Sequence, residues 1–178
     1  MQKNIKTNWY VITGAPSSGK TTTLKSLENK GYKVFYEWAR IYIDQEMKKG
    51  KTLKEIRADE LKFQKKILKL KADFEKKLDP KKLLFMERGI PDSNAYMKIL
   101  GFENNKSLKN ALKKCYYKKV FLLELIKYEL DYARTESQEE AMIIDSLLEK
   151  SYTDLGIEVL RIPKMSVEKR IDFILDNL

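Results

Sequence analysis

The sequence predicts an α/β protein in three layers, a five-stranded parallel sheet covered on both faces by helices. Three observations carry this. Strand-length apolar runs alternate with helix-length amphipathic segments along the whole chain, the order of repeated βαβ units. Most strand candidates are continuous apolar runs, as strands buried on both faces require. A glycine-rich segment, "GAPSSGKTT" (14–22), joins the first strand to the first helix.

Taken in order, "NWYVITG" (8–14) is β-prone and leads into the glycine segment. "KTTTLKSLENKG" (20–31) reads as a helix with Leu24 and Leu27 on one face and Gly31 at its C-cap. "YKVFYE" (32–37) is a second strand, and "WARIYIDQEMKKG" (38–50) a helix ended by Gly50. Residues 52–78 predict one long amphipathic helix, because Phe63, Ile67, Leu70, Phe74 and Leu78 recur at spacings of three and four. Its seam is short for a coiled coil, so it should pack on its own domain. "KLLFME" (82–87) is a third strand, followed by helices at 92–101 and 106–117. "KKVFLLEL" (118–125) is a fourth strand. Residues 126–137 have no period and read as a loop or lid. Ser137 and Glu140 have capping-box spacing, so a helix should start there and run to about Leu155, ended by Gly156. "IEVLRIP" (157–163) is a fifth strand. Ser166 should cap a last helix facing inward with Val167, Ile171, Ile174 and Leu178. There is no repeat, low-complexity segment or linker, so residues 1–178 read as one domain, with the acceptor side of any site in the helical region of about 38–80.

Composition narrows the chemistry. The 178 residues are 43% hydrophobic and 35% charged, as in a soluble globular protein. No apolar run reaches the roughly 18 residues of a membrane span, and the first residues lack the apolar core of a signal peptide. A cytoplasmic setting is expected, with no membrane partner. One cysteine, Cys115, allows no internal disulfide. The chain has no histidine, which excludes a Ser-His-Asp triad, a phosphohistidine and any His-ligated metal. Acid–base work falls to carboxylates, lysines and tyrosines. The net charge of +10 is spread as lysines over most of the chain, a pattern of solvated helix faces rather than of a nucleic-acid groove. Arginine is used sparingly: Arg40, Arg57, Arg88, Arg134, Arg161 and Arg170. Its planar fork grips phosphate or carboxylate bidentately, so these positions are informative.

"GAPSSGKTT" fits G-x-x-x-x-G-K-[ST], the pattern of a phosphate-holding loop. Gly14 and Gly19 let the backbone wrap closely, and successive N–H groups with the next helix start supply a positive field. The nucleotide should lie over Gly14, Ala15, Pro16, Ser17, Ser18, Gly19, Lys20, Thr21 and Thr22. Lys20 can reach the β and γ phosphates, and the Thr21 hydroxyl can hold Mg²⁺. The strand before and the helix after are the expected context.

Three further places put carboxylates beside arginines. Glu37 ends the second strand on the same sheet edge as the loop, where open α/β sheets bind ligands; it can serve as general base for an attacking hydroxyl. Arg40, one helical turn on, can hold a carboxylate or phosphate of the acceptor, or simply pair with Glu37. Glu87, at the end of the third strand, suits the magnesium carboxylate, and Arg88 can turn back to the phosphates or the acceptor. Arg134, with Asp131 beside it, can neutralise phosphoryl charge from the lid. Tyr36, Trp38, Tyr42 and Tyr96 are candidates to stack on an acceptor ring, although aromatics at such positions more often fill a core.

The order "GAPSSGKTT", "YEWARIYI", "ERGIPDSNAY", "FLLELIKYELDYARTES" and "GIEVLRIPKMSVEKRIDFIL" resembles the NadR-type AAA family of small P-loop proteins over nearly the whole chain. The resemblance implies a P-loop NTPase fold with an adenylate-kinase-like sheet, of order 2-3-1-4-5. In the nicotinamide riboside kinase domain of that family, an E-x-x-R after the second strand corresponds to Glu37 and Arg40. An acidic-Arg pair after the third corresponds to Glu87 and Arg88, and a D-x-x-R in the lid to Asp131 and Arg134. Deoxynucleoside kinases are a looser parallel and imply Glu37 as base and Glu87 with the metal. The chain departs from the pattern in having Glu-Arg-Gly where Asp-Arg would be the closer match, and a lysine-rich stretch between strands two and three with no acceptor signature.

The expected activity is ATP- and Mg²⁺-dependent phosphoryl transfer to a small hydroxyl-bearing, nucleoside-like metabolite, with Lys20, Glu37, Arg88 and Arg134 acting and GTP not distinguished from ATP. The alternative is a nucleotide switch acting through a protein partner. The oligomeric state, a homo-oligomer included, is left open.

Overall fold

The computed structural model describes residues 7–102, 105–125 and 138–178. Five parallel strands form one sheet in the order β2-β3-β1-β4-β5, as expected. They are β1 (Trp9–Thr13), β2 (Val34–Phe35), β3 (Leu84–Glu87), β4 (Lys119–Leu123) and β5 (Val159–Ile162). β1 lies centrally, with Val11 opposite both Met86 of β3 and Val120 of β4. All five β1 residues are buried, which is what its unbroken apolar run requires.

Alternation along β1 divides the core. Tyr10 and Ile12 face α1 (Lys20–Asn29) and α8 (Val167–Asp176), packing with Leu24, Leu27, Phe85, Phe121, Ile171 and Ile174. Trp9 and Val11 face the other layer, made of α4 (Glu60–Glu75), α5 (Ile90–Ile99), α6 (Lys106–Leu112) and α7 (Gln138–Thr153), and pack with Leu68, Met86, Met97, Leu108 and Tyr152. The last helix is capped as expected, Ser166 Oγ accepting from the Lys169 N–H at 3.3 Å. The expected Ser137 cap of α7 and the expected lid, 126–137, lie outside the described residues.

Several boundaries differ from the sequence expectation. β2 is only two residues long: it is an edge strand paired with β3 alone, and Glu37 already caps α2 (Trp38–Lys48). α6 stops at Leu112, and the segment after it runs on to bury Cys115 and Tyr117 before β4 begins. The single helix expected over 52–78 is broken into α3 (Leu53–Ile56) and α4. Two competing caps explain the break. Thr52 and Glu55 form a capping box, and Asp59 then accepts from the Lys62 N–H at 2.9 Å to start α4. Local side-chain caps thus interrupt a segment whose apolar periodicity runs through.

The buried face of α4 is also rotated from the expected one. Phe63 and Ile67 are buried, but Leu70, Phe74 and Leu78 are only partly so, while Gln64, Lys71 and Glu75 turn inward. Glu75 accepts from the Tyr117 hydroxyl at 2.6 Å, and burial pushes its carboxyl up to about 7. Below its ordinary pKa of 4.5 the group is protonated in folded and unfolded chains alike. Between there and about 7 only the folded chain keeps the proton, so stability falls as pH rises across that window, and the cost is fully present above it. Glu75→Gln keeps an acceptor for Tyr117 and removes the charge. Its stability relative to wild type should rise by about 3 kcal/mol between pH 5 and pH 8, read from urea denaturation at the two pH values; a difference that does not change with pH would overturn the assignment.

Candidate active site

The loop between β1 and α1 is bent as its glycines allow. Gly14 has φ 146°, and a Cβ there would stand 2.7 Å from Ser18 Oγ and run into the Leu123 carbonyl. Gly19 holds the N-cap of α1 at φ 84° with no side-chain cap and no acid in the first helical turn. The helix start is therefore left open to an anion. Lys20 folds back over the loop, its Nζ donating to the Ala15 carbonyl at 2.9 Å and to Ser18 Oγ at 3.3 Å. Burial, then the nearby Arg88, pulls the Lys20 pKa down to about 8.

At the end of β3, Glu87 is 3% exposed. The Thr21 hydroxyl donates to its two carboxylate oxygens at 3.0 and 3.2 Å. Burial and the facing Glu37 push the Glu87 carboxyl up. A hydroxyl and a carboxylate converging in this way, at a place that resists negative charge, are a donor set suited to a hard cation.

Arg88 takes a left-handed conformation, φ 61°, which costs a non-glycine residue about 1–2 kcal/mol. The conformation turns the guanidinium back across the strand ends, where a buried network holds it. Asp92, fully buried in the first turn of α5, accepts from Arg88 NH1 at 3.0 Å, from Thr13 Oγ1 at 2.6 Å and from the Gly89 N–H at 3.0 Å, and also from the Tyr152 hydroxyl. Lys71, 4% exposed, donates to the Gly89 carbonyl at 3.0 Å. Tyr117 accepts from the Ile90 N–H at 2.8 Å. Burial would raise the Asp92 carboxyl, but Arg88 and Lys71 hold it below its ordinary value.

Arg88 Nε lies 3.0 Å from Glu37 Oε1. This contact is Coulombic, since the Nε–H is not aimed at the oxygen as a hydrogen bond. Burial works to raise the Glu37 carboxyl, yet Arg88, Lys20 and Lys71 together lower it. Glu37 is thus held ionised. Arg40, one turn on, also helps to lower the Glu37 carboxyl, though less than Arg88 does.

These groups surround one cavity of 380 Å³. Pro16, Ser17, Gly19, Lys20, Thr21 and Thr22 of the loop line it together with Glu37, Arg40, Glu87 and Arg88. Gly14, Ala15 and Ser18 of the same loop are buried and do not line the cavity. Among the four aromatics singled out, Tyr96 lines the cavity, with Arg88 over its ring at 5.3 Å from the centroid. The others do not line it: Trp38 packs on Phe74, Tyr42 on Phe63, and Tyr36 donates to Glu28 at 2.6 Å. Asp131 and Arg134 lie outside the described residues.

Sequence reasoning missed Gln64, Lys71 and Ser93 in the lining and Asp92 and Tyr152 behind it. Only Asp92 carried a signal, three residues after Gly89 at capping distance. The others come from the polar inner face of α4, from α5 and from α7, where nothing in the local pattern marks them.

A glycine loop after the central strand, an open helix start and an acidic residue ending the next strand define a P-loop NTPase site on a parallel α/β sheet. The chain belongs to the AAA domain family, matched over residues 9–170. No curated protein sequence matches it. Among solved structures it is similar to deoxyadenosine kinase from M. mycoides with bound dCTP, at 18% identity and TM-score 0.64 over 95% of this chain and 97% of that one. It is similar to a NadR protein in complex with NR, at 13% identity and TM-score 0.69, with 94% of this chain aligned to 48% of that chain. Thymidylate kinase from Ehrlichia chaffeensis aligns at 13% identity and TM-score 0.66, over 95% of this chain and 97% of that one. At these identities the likeness speaks for a shared fold.

The Asp92 network makes a stability prediction. Asp92→Asn leaves the buried Arg88 short of a counter-charge and should cost about 3 kcal/mol. Tyr152→Phe, losing one hydroxyl, should cost about 1 kcal/mol. Urea denaturation of the two variants checks both the size and the order of these losses.

Proposed function

We propose that this protein is a cytoplasmic kinase that transfers the γ-phosphoryl group of ATP to a hydroxyl of a small, nucleoside-like metabolite. What supports it is one observation: an ionised carboxylate, Glu37, faces the same 380 Å³ cavity as the phosphate loop, leaving room for an acceptor between them. A nucleotide switch needs the loop but not that carboxylate or that space.

In this scheme residues 14–22 hold the phosphates through backbone N–H groups, and Lys20 swings from the Ala15 carbonyl to the bridging and terminal oxygens. Thr21 and Glu87 would hold Mg²⁺, which when bound neutralises charge on the phosphates. Glu37 accepts the proton of the attacking hydroxyl, while Arg88 keeps that carboxylate ionised and in place. Arg40 steadies the acceptor, and Arg134 and Asp131 are assigned to the lid. Positioning and preorganised charge supply most of the rate, as expected for phosphoryl transfer.

ADP release should be measured from Mg-ATP, with Mg-GTP in parallel, against nucleosides, deoxynucleosides, nicotinamide riboside and pyridine vitamins. Strong stimulation by one acceptor, lost in Lys20→Ala, is expected. Slow turnover indifferent to every acceptor would favour the nucleotide switch. Glu37→Gln should lower acceptor phosphorylation at least about 100-fold and leave ATP affinity within about threefold. Full activity in that variant would remove Glu37 as the base.

A further inference from the structure

Among the described residues Arg170 is the most deeply buried arginine, and it meets the loop on the side away from the cavity. It extends from α8, is 2% exposed, and takes no part in the scheme above. Its NH1 donates to Thr23 Oγ1 at 3.0 Å and reaches the Gly19 carbonyl at 3.4 Å and the Ser18 carbonyl at 3.5 Å. Thr23 Oγ1 in turn donates to the Gly19 carbonyl at 2.9 Å. The Nε is buried with no hydrogen-bond partner. Among the described residues no carboxylate pairs with Arg170, and burial alone lowers its pKa, with no acidic group offsetting it. A buried cation without a counter-ion is costly, and proteins keep few of them.

The geometry says what the charge is placed to do. A trans peptide is planar, so its C=O and the following N–H point in opposite directions. Drawing the Ser18 and Gly19 carbonyls toward α8 therefore aims the Gly19 and Lys20 N–H groups toward the cavity side of the loop. Both of those residues line the cavity. Among the described residues, no carboxylate pairs with the positive charge of this guanidinium directly behind the loop.

We propose that Arg170 is a positioning residue of the phosphate site, which orients the Ser18–Gly19 and Gly19–Lys20 peptides from behind and whose missing counter-ion is the bound polyphosphate itself. The inference rests on the phosphate-site part of the proposed function and not on the acceptor chemistry. It separates from plain packing because the two make opposite demands on the empty protein. A packing residue stabilises the fold with or without ligand. An uncompensated charge costs stability in the empty protein and repays it only when the anion binds.

The test uses the full chain and inorganic tripolyphosphate, which needs neither acceptor nor turnover. Arg170→Met keeps an unbranched apolar stem and removes the charge, and Thr23 retains its bond to Gly19. Without ligand, the variant should resist urea as well as wild type or better. By isothermal titration, its affinity for tripolyphosphate should be about tenfold weaker, with ATP affected alike. Arg170→Lys should recover part of that loss, since it restores charge without the fork. Wild-type affinity in Arg170→Met overturns the inference, and so does a ligand-free destabilisation with the affinity of the folded protein unchanged. If Arg170→Met does not fold, Arg170→Lys decides: weaker tripolyphosphate binding at wild-type ligand-free stability supports the role, and wild-type binding ends it. Failure of the wild-type protein itself to bind tripolyphosphate would overturn the phosphate site and this inference together, whereas failure of every acceptor in the ADP-release assay would leave the Arg170 result standing.

Discussion

The Asp92 carboxylate, sealed from water, gathers four donors from three parts of the chain: Thr13 at the end of β1, Arg88 and the Gly89 backbone in the turn between β3 and α5, and Tyr152 near the end of α7. Burying one carboxylate is unfavourable unless nearly every lone pair is satisfied. Here the satisfaction comes from the segments that must meet for a site to exist. The constraint explains the left-handed Arg88, because a relaxed backbone would carry its guanidinium away from Asp92 and Glu37. It also explains why Gly89 follows it: a Cβ at Gly89 would stand 2.8 Å from the Tyr117 ring and 2.9 Å from the Tyr152 hydroxyl.

From that anchor the electrostatics of the cavity follow. Two carboxylates line it, and their surroundings drive their acidities in opposite directions. Glu37 sits among Arg88, Lys20 and Lys71 and is held ionised. Glu87 lies deeper, feels Glu37, and is pushed up. Groups of one chemical type thus acquire different tendencies: Glu37 stays charged and open to a proton only at the reaction step, and Glu87 gains from a cation that offsets its charge. Lys20, drawn down to about 8 by burial and Arg88, rests on a backbone carbonyl it can leave when phosphate arrives.

The helical layer carries more of this than its amphipathic pattern suggests. α4 turns Gln64, Lys71 and Glu75 inward along with Phe63 and Ile67. Lys71 steadies the Gly89 carbonyl, and Glu75 reaches Tyr117, which in turn holds the Ile90 N–H. Half of the helix face is therefore core and half is support for the turn that presents Arg88. The opposite layer contributes through α8, where a single arginine reaches the back of the phosphate loop.

The amino-acid sequence alone determined the class of fold and the phosphate loop, because each is written locally; the strand order came only from the family resemblance. Apolar runs and amphipathic periods state which segments form the sheet and which cover it, and Gly14, Gly19, Lys20 and Thr21 act through backbone freedom and side chains only residues apart. Glu37 and the Glu87–Arg88 pair were legible because strand ends on one sheet edge must converge. The break at Asp59 was written in its caps but masked by a continuous apolar period. What only the tertiary structure decided is who answers whom. Glu37 meets Arg88 from the neighbouring strand end, Asp92 becomes a hub, and Lys71, Tyr152 and Arg170 join the site from helices far away in sequence. A buried charge is permitted by partners that folding brings to it, and no local stretch of sequence records where those partners come from.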